Sequence, residues 1–141
     1  MSIKSAQDEI IAEVSTLNGD IEKVLFYIIS LGRMLPPLPK AIRVDRNLIQ
    51  GCHSNVWLVA TAKRGRVNFY ADSDTAISKG LVSLLLRIFN GQPADEIIKA
   101  DIYFNQKNQL ERYIGTKRSN GFAAMIERIK QIVRPPDPPT T

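Results

Sequence analysis

The chain has 141 residues, of which 44% are hydrophobic and 23% are charged, as is typical of one ordinary globular domain. Its longest apolar runs are far shorter than the about 20 residues of a membrane-spanning helix, which excludes a membrane protein, and its single cysteine excludes an intrachain disulfide. The formal net charge of +5 comes from scattered basic residues without a nucleic-acid motif, so a solvated basic surface is favoured over nucleic acid binding. Because the start of the chain shows no signal peptide pattern, the cytoplasm or another reducing compartment is the predicted location.

Two amphipathic helices are predicted at the start of the chain. Apolar residues at helical spacing mark one helix over residues 7–17 and a second over residues 21–32. Residues 18–20, Asn-Gly-Asp, end the first helix and supply the N-cap of the second. Prolines at positions 36, 37 and 39 then favour an extended connection over residues 34–41.

The middle of the chain predicts a small antiparallel sheet. Residues 55–61 and 67–71 are rich in β-forming residues, and the intervening Lys63-Arg64-Gly65-Arg66 is typical of a hairpin turn. Residues 44–49 give a weaker signal for a short edge strand. We therefore predict about three strands, with the hairpin as the centre of the sheet.

The second half of the chain is predicted to be mainly helical. Asp72-Ser73-Asp74 supplies a cap and acidic residues for the main helix, whose apolar residues repeat over positions 77–88. Gly80 is expected where this helix approaches the sheet closely. A short helix after Pro93, a mixed helix and loop region over 103–113, a polar break over 116–120 and a final helix over 122–133 complete the pattern.

These elements predict an α+β fold in which helices pack on a small antiparallel sheet of about three strands. Residues 1–134 are predicted to form one domain. Residues 135–141 are predicted to be a proline-rich disordered tail.

The chemistry of the chain centres on Cys52, its only cysteine. A lone cysteine is more often a small buried hydrophobe than a functional residue. Here Gly51 allows backbone angles closed to other residues, and Gln50, His53 and Ser54 provide a polar environment that a packing cysteine does not need. The pattern favours a thiol presented on a loop, with an inert Cys52 as the alternative.

Four short sequence blocks occur in order along the chain. They are Tyr27-Ile28-Ile29 with Leu31-Gly32, Ile49-Gln50-Gly51-Cys52 with Ser54, Asp72-Ser73-Asp74 with Lys79-Gly80-Leu81, and Arg118-Ser119 with Gly121. Together they resemble the SufE/CsdE family of sulfur-acceptor proteins, which partner cysteine desulfurases in iron-sulfur cluster assembly. The resemblance covers most of the chain. His53, in place of a residue such as glutamine, and the proline-rich tail depart from it.

The resemblance implies a SufE/NifU-like fold and a sulfur-carrying function. Cys52 would accept persulfide sulfur from a cysteine desulfurase of the SufS/CsdA type, stimulate that enzyme and deliver sulfur to an iron-sulfur scaffold complex. The chain would then be an accessory protein and not itself an enzyme, with no cofactor. An iron-sulfur cluster needs about four thiolate or imidazole ligands, and this chain has one cysteine and one histidine, so no metal site is predicted.

The residues expected to support Cys52 or to bind its partner are Gln50, Gly51, His53, Ser54, Asp74, Lys79 and Arg118. Besides His53, Lys79 and Arg118 are candidate cations that would favour the Cys52 thiolate. The alternative is that they are solvated or paired with nearby aspartates. On an extended backbone His53 points away from Cys52, which favours a surface residue over a general base.

Two alternatives and one expectation accompany this interpretation. A cysteine hydrolase needs a base beside the thiol, and the only histidine is badly placed. A basic module that binds an acidic protein or nucleic acid, with an inert Cys52, is the second alternative. A carrier would also benefit from an apolar shelter around the thiol that opens on docking, with Trp57 and the main helix as candidates.

Overall fold

A computed structural model describes residues 1–135 of the protein. It begins with two helices, α1 (Ile3–Ser15) and α2 (Ile21–Met34). α1 starts at Ile3, earlier than predicted, because the Ser2 side chain accepts a hydrogen bond from the Ser5 N–H in a reciprocal capping box. α2 starts at the predicted cap, where the Asp20 carboxylate accepts a hydrogen bond from the backbone N–H of Lys23.

The sheet has three antiparallel strands, β1 (Val56–Lys63), β2 (Arg66–Ser73) and β3 (Gln92–Pro93), in that order. The predicted hairpin is therefore confirmed. The prediction of an edge strand over residues 44–49 is wrong, because Asp45–Asn47 form a 3₁₀ turn and only Leu48 bridges to Trp57. Local hydrogen bonds hold that turn, including one from the Asn47 side chain to a nearby backbone carbonyl. The third strand is β3, which pairs with β2.

α3 (Ala76–Phe89) packs on the inner face of the hairpin and against α2. Its N-cap is Thr75, so the prediction that Asp72-Ser73-Asp74 caps it is wrong. The Asp72 and Asp74 side chains instead accept hydrogen bonds from the backbone of two connecting segments. The Asp72 carboxylate accepts from the Leu38 N–H at 3.0 Å, and the Asp74 carboxylate accepts from the Asn55 N–H at 3.1 Å.

Gly80 marks a close approach between two elements. The prediction that its partner is the sheet is wrong, because the partner is α2. A Cβ atom on Gly80 would lie 2.0 Å from the carbonyl oxygen of Ile28, and a Cβ on Gly32 would lie 2.7 Å from the Gly80 nitrogen. Glycine at both positions therefore lets the backbones of α2 and α3 touch.

Three further helices complete the fold of residues 1–135: α4 (Ala94–Lys99), α5 (Phe104–Lys107) and α6 (Glu111–Val133). The predicted polar break over residues 116–120 is wrong, since these residues are helical. The interruption lies at Gly115, whose φ of 83° and ψ of 169° leave the helical region. Most of the predicted disordered tail, residues 136–141, lies outside the described residues.

One contiguous apolar cluster joins the helices to the inner face of the sheet. Val56, Leu58, Val67 and Phe69 supply the sheet side, and residues on α3 such as Leu85 supply the helix side. The α+β prediction with a three-stranded antiparallel sheet is confirmed. Within residues 1–135, no helix is both long enough and apolar enough to cross a membrane.

Candidate functional site

Cys52 lies on a short loop between the 3₁₀ turn and β1. The buried Ile49 closes the base of this loop, because its N–H donates to the Val56 carbonyl oxygen at 2.8 Å. Gly51 follows with a φ of 92°, a conformation that other residues rarely adopt. The loop therefore turns sharply just before the thiol.

Hydroxyl and carboxylate groups hold one side of the loop to the start of α3. The Ser54 hydroxyl oxygen accepts from the Thr75 hydroxyl at 2.8 Å and from the Ser78 hydroxyl at 3.1 Å. Asp74 and Asn55 exchange a second pair of bonds, one to the Asp74 carboxylate and one from its backbone N–H to the Asn55 carbonyl oxygen. Ser54 and Asp74 thus position the loop, and neither forms a hydrogen bond with the thiol.

The other side of the loop packs on α6, where small residues make room for it. The Cys52 thiol donates to the Gly121 carbonyl oxygen, with 3.3 Å between sulfur and oxygen. A Cβ atom on Gly121 would lie 3.5 Å from Sγ, and one on Gly51 would lie 3.2 Å from the Ala124 Cβ. The thiol is half-buried against a helix backbone.

The resting thiol is held in its protonated form. Burial raises the pKa of Cys52, because the charged thiolate loses hydration there. The hydrogen bond to the Gly121 carbonyl acts in the same direction, since only the neutral thiol can donate it. Cys52 is therefore a weak nucleophile in this conformation.

An open cavity of about 510 Å³ begins at the thiol. Its apolar walls come from Leu81 on α3 and from Ile114 and Met125 on α6. Its cationic edge carries the exposed Lys117 and Arg118, and the exposed His53 lies beside them. The remaining lining residues are Ser54, Ser78, Gly115, Thr116 and Gly121. A protonated thiol thus faces a cavity with an apolar wall and a cationic edge.

Arg118 is better placed than Lys79 to act on the thiol. Its guanidinium donates to the Ile114 carbonyl oxygen at 3.4 Å, and it forms no ion pair within residues 1–135. The break in α6 at Gly115 lies at the same cavity. Lys79 instead pairs with Asp72 at 3.4 Å and does not line the cavity.

The other predicted residues lie further from the sulfur. Gln50 lines a separate surface depression with Asp45 and Arg128. Trp57 does not line the thiol cavity, and its ring lies under the Arg43 guanidinium, 5.9 Å from carbon to ring centroid. The apolar side chains that line the thiol cavity come from α3 and α6, and Trp57 is not among them.

Several residues of the site were not predicted from the sequence. Leu81 and Met125 belong to the apolar patterns that predict the main helix and the final helix, and Lys117 is not among the predicted site residues. Ser78 carried a usable signal, because a polar residue stood on the apolar stripe of the main helix. Gly121 carried another, since a glycine inside a helical pattern often has a packing reason.

The side chains of this site offer the chemistry of a thiol. In the described part of the chain, no three His, Cys, Asp or Glu side chains are grouped as metal ligands would be. The only cysteine is the only strong nucleophile at the cavity. The arrangement suits a reversible covalent bond to sulfur.

Residues 8–133 match the model of the family described as SufE: Fe-S metabolism associated domain. The chain belongs to the SufE family. Two curated relatives from Rhizobium, both described as uncharacterised SufE-like proteins, agree. The one from Rhizobium meliloti (strain 1021) is 38% identical over 128 residues, covering 87% of this chain and 91% of its own length. The one from Rhizobium etli is 36% identical over 129 residues, covering 88% of this chain and 86% of its own length.

A solved structure supports the same fold for this SufE-family chain. It is the solution structure of a hypothetical protein from Thermus thermophilus, with a TM-score of 0.74 and 17% sequence identity. The match covers 91% of this chain and 93% of that one. At this identity the likeness concerns the fold alone, while the family places the chain among proteins associated with iron-sulfur metabolism.

Proposed function

We propose that this SufE-family protein is a sulfur acceptor and carrier that receives persulfide sulfur on Cys52 from a cysteine desulfurase of the SufS/CsdA type. It stimulates the desulfurase by removing that sulfur and delivers it to an iron-sulfur scaffold complex. It acts as an accessory protein and not as an enzyme in its own right. The observation that carries the proposal is the placement of the only cysteine on a loop beside a cavity with a cationic edge.

The transfer conserves atoms and electrons. The Cys52 thiolate attacks the terminal sulfur of the persulfide on the desulfurase cysteine, and a new sulfur-sulfur bond forms on Cys52. The sulfur-sulfur bond of the donor breaks, and the desulfurase cysteine leaves as a thiolate. The proton of the Cys52 thiol passes to solvent or to a basic group before the attack, and no external oxidant or reductant is required.

The protonated resting state requires a change when the partner docks. Once the loop leaves the Gly121 carbonyl, Cys52 loses the hydrogen bond that favours its neutral form. A thiol beside Arg118 and Lys117 then ionises more easily, because nearby positive charge lowers a thiol pKa. The same burial that lowers reactivity at rest also protects a bound persulfide from solution reductants and oxidants.

The direct test is persulfidation by a desulfurase. The protein is mixed with a SufS/CsdA-type desulfurase and cysteine, and its intact mass is recorded before and after treatment with a reductant. We expect a reducible gain of one sulfur atom, which is absent from Cys52→Ser. A matched control places a thiol on the exposed Ser15 of α1 by combining Ser15→Cys with Cys52→Ser.

This control distinguishes an acceptor site formed by the environment of Cys52 from any accessible thiol. If the α1 thiol gains sulfur as readily as Cys52, the environment of Cys52 adds nothing and the carrier proposal fails. If Cys52→Ser supports desulfurase turnover as well as the parent, the inert-cysteine alternative, a basic binding module, is favoured instead.

Docking is tested by the alkylation rate of Cys52. The rate is measured with and without a desulfurase whose own active cysteine has been removed. We expect slow alkylation in the free protein and a faster reaction on docking, since the thiol leaves its contact with the α6 backbone and comes closer to the cationic edge. A free protein that reacts like a small-molecule thiol, with no effect of docking, contradicts the sheltered resting state.

The cationic edge is tested by charge reversal. Arg118→Glu should reduce desulfurase stimulation by about tenfold, because it removes positive charge from the cavity and introduces a carboxylate beside the thiolate. Lys63→Glu, at an exposed position of β1, makes the same charge change on the hairpin. An equal loss of desulfurase stimulation in both variants would show that only net charge matters.

A further inference from the structure

A second cavity lies between α5 and α6, and the proposed sulfur transfer does not use it. Its volume is about 460 Å³, which is within the range of pockets that bind small groups. Leu110, Ile114 and Phe122, all of them buried, supply its apolar lining. Cys52 is not among the described residues that line it.

Two buried polar atoms at this cavity have no hydrogen-bond partner within residues 1–135. They are the side-chain oxygen of Asn105 on α5 and the hydroxyl oxygen of Ser119 on α6. Buried polar atoms without a partner destabilise a fold, so proteins rarely keep them unless a ligand or water meets them. Both oxygens can accept hydrogen bonds, so the cavity suits a ligand that carries donors.

The lining of the cavity also favours positive charge. The chain has a formal net charge of +5, yet none of the described lining residues is basic and one, Glu111, is acidic. One carboxylate oxygen of Glu111 accepts a hydrogen bond from the Thr116 hydroxyl at 3.0 Å, and the carboxylate forms no ion pair within residues 1–135. The other lining side chains are the uncharged amides of Gln106, Gln109 and Asn120.

We propose that this cavity binds the side chain of an arginine on a partner polypeptide. A guanidinium group presents several N–H donors in one plane, and the cavity supplies acceptors on Asn105, Ser119 and Glu111. The methylene stem of the arginine packs on the apolar lining. The ammonium group of a lysine fits less well, because it is a compact and strongly hydrated charge.

The guanidinium is carried by a polypeptide and not by free arginine. Free arginine also brings an α-carboxylate, which would meet the Glu111 carboxylate and no basic side chain among the described lining residues. In a polypeptide, that carboxylate is replaced by a neutral amide. The three amide side chains at the cavity can exchange hydrogen bonds with the main chain on either side of the arginine.

The walls of the cavity are held in place by contacts within the chain. The rings of Phe104 and Phe122 meet edge to face with their centroids 5.7 Å apart, which holds α5 against α6. The Leu110 N–H donates to the backbone carbonyl oxygen of Asn105 at 2.8 Å and closes the turn between the two helices. Binding therefore requires little ordering of the protein.

Binding is tested on the full chain with blocked amino acids. NMR spectra of the amide groups are recorded during titration with N-acetylarginine amide, with its citrulline analogue and with its lysine analogue. The citrulline analogue has nearly the same shape as the arginine derivative and no charge. We expect the arginine derivative to shift the side-chain amide signals of Asn105 and Asn120 with a Kd of about 1 mM, and both analogues to bind about tenfold more weakly.

Two variants change the charge of the cavity in opposite directions. Glu111→Gln should weaken binding by about tenfold, because it removes the negative charge and keeps an oxygen for the Thr116 hydroxyl. Asn105→Asp should tighten binding by about the same factor, because it adds a second carboxylate. The matched control is Glu22→Gln, the same change at an exposed position of α2. All variants are checked for a parent-like circular dichroism spectrum.

The outcomes separate a guanidinium site from a hydrated cavity. Absence of any shift with the arginine derivative would mean that the cavity holds water only, and the proposal would be wrong. Equal binding of the citrulline or lysine analogue also overturns it, as does an affinity that Glu111→Gln leaves at the value of the Glu22→Gln control. If free arginine binds as tightly as the blocked derivative, the polypeptide is the wrong source of the guanidinium.

Discussion

Glycine permits close packing in two regions of this protein, at the crossing of α2 and α3 and at the contact between the Cys52 loop and α6. At the crossing, a Cβ on Gly80 would lie 2.0 Å from the backbone oxygen of Ile28. At the loop, a Cβ on Gly121 would lie 3.5 Å from the Cys52 sulfur, which is an ordinary contact distance. The crossing joins two rigid helix backbones, whereas the loop contact joins a thiol to a helix surface.

The difference separates the fixed part of the protein from the part that can move. α2 and α3 cannot shift without breaking a backbone contact in the middle of the core. The thiol is held to α6 by one hydrogen bond to Gly121 and by a few side-chain contacts, and such bonds each contribute about 1 kcal/mol. We therefore expect the contact between the thiol and α6 to give way before the helix crossing does.

The largest effect is expected from adding one methyl group at the crossing. Gly80→Ala should lower the free energy of unfolding by about 3 kcal/mol, because the new Cβ overlaps the Ile28 carbonyl oxygen and forces α2 and α3 apart. The measurement is the urea midpoint at unchanged slope. Gly121→Ala is the control, since the same change in α6 meets ordinary contacts and gains about 0.5 to 1 kcal/mol of helix stability. Similar losses in both variants would remove the distinction between the two regions.

A smaller and more local effect is expected at the turn before the thiol. Gly51→Ala should introduce about 1 to 3 kcal/mol of strain, because alanine is disfavoured at a φ of 92° and its Cβ would lie 3.2 Å from Ala124. We expect faster alkylation of Cys52, since the strain favours a loop that has left α6. Adding Ala124→Gly relieves the contact but not the backbone strain, so a return to the parent rate would assign the effect to the contact. An unchanged rate in Gly51→Ala would show that the loop is open already.

The smallest effect is a pH dependence of stability that comes from Cys52. Burial raises the pKa of this thiol in the folded protein, so its contribution to stability is present below the unfolded pKa of about 8.5 and is lost as pH rises through the raised value. Urea unfolding of the parent and of Cys52→Ser should therefore diverge above about pH 8.5, with the parent losing stability relative to the variant. The effect is small because the thiol is only half-buried. Parallel curves would mean that the thiol environment is the same in the folded and unfolded states.

The elements that could be predicted from the sequence are held by local contacts, and those that could not depend on distant ones. The helices and the hairpin could be predicted because hydrophobic spacing and turn residues act within a few positions. The third strand could not, since β3 has two residues, Gln92 and Pro93, and is defined only by its pairing with β2. The edge strand expected over residues 44–49 failed for the converse reason, because local turn bonds there outweigh a weak strand preference.

At the site, Lys79 and Arg118 also could not be ranked from the sequence alone. Lys79 and Arg118 are both basic residues within sequence blocks typical of the family, and nothing in the order of residues ranks one above the other. The structure pairs Lys79 with Asp72 and places Arg118 at the edge of the thiol cavity. Such a ranking depends on distances between elements that are far apart in the chain.

The sequence by itself determined the α+β class, the hairpin, the family and the single thiol, because composition, periodicity and motifs are properties of neighbouring residues. Only the tertiary structure decided that Gly80 meets α2, that the thiol donates to Gly121 across 69 positions of sequence, and that Phe26 remains exposed. These contacts join surfaces whose relative positions are set by packing of the whole core, and no local pattern encodes a distance between two distant backbones.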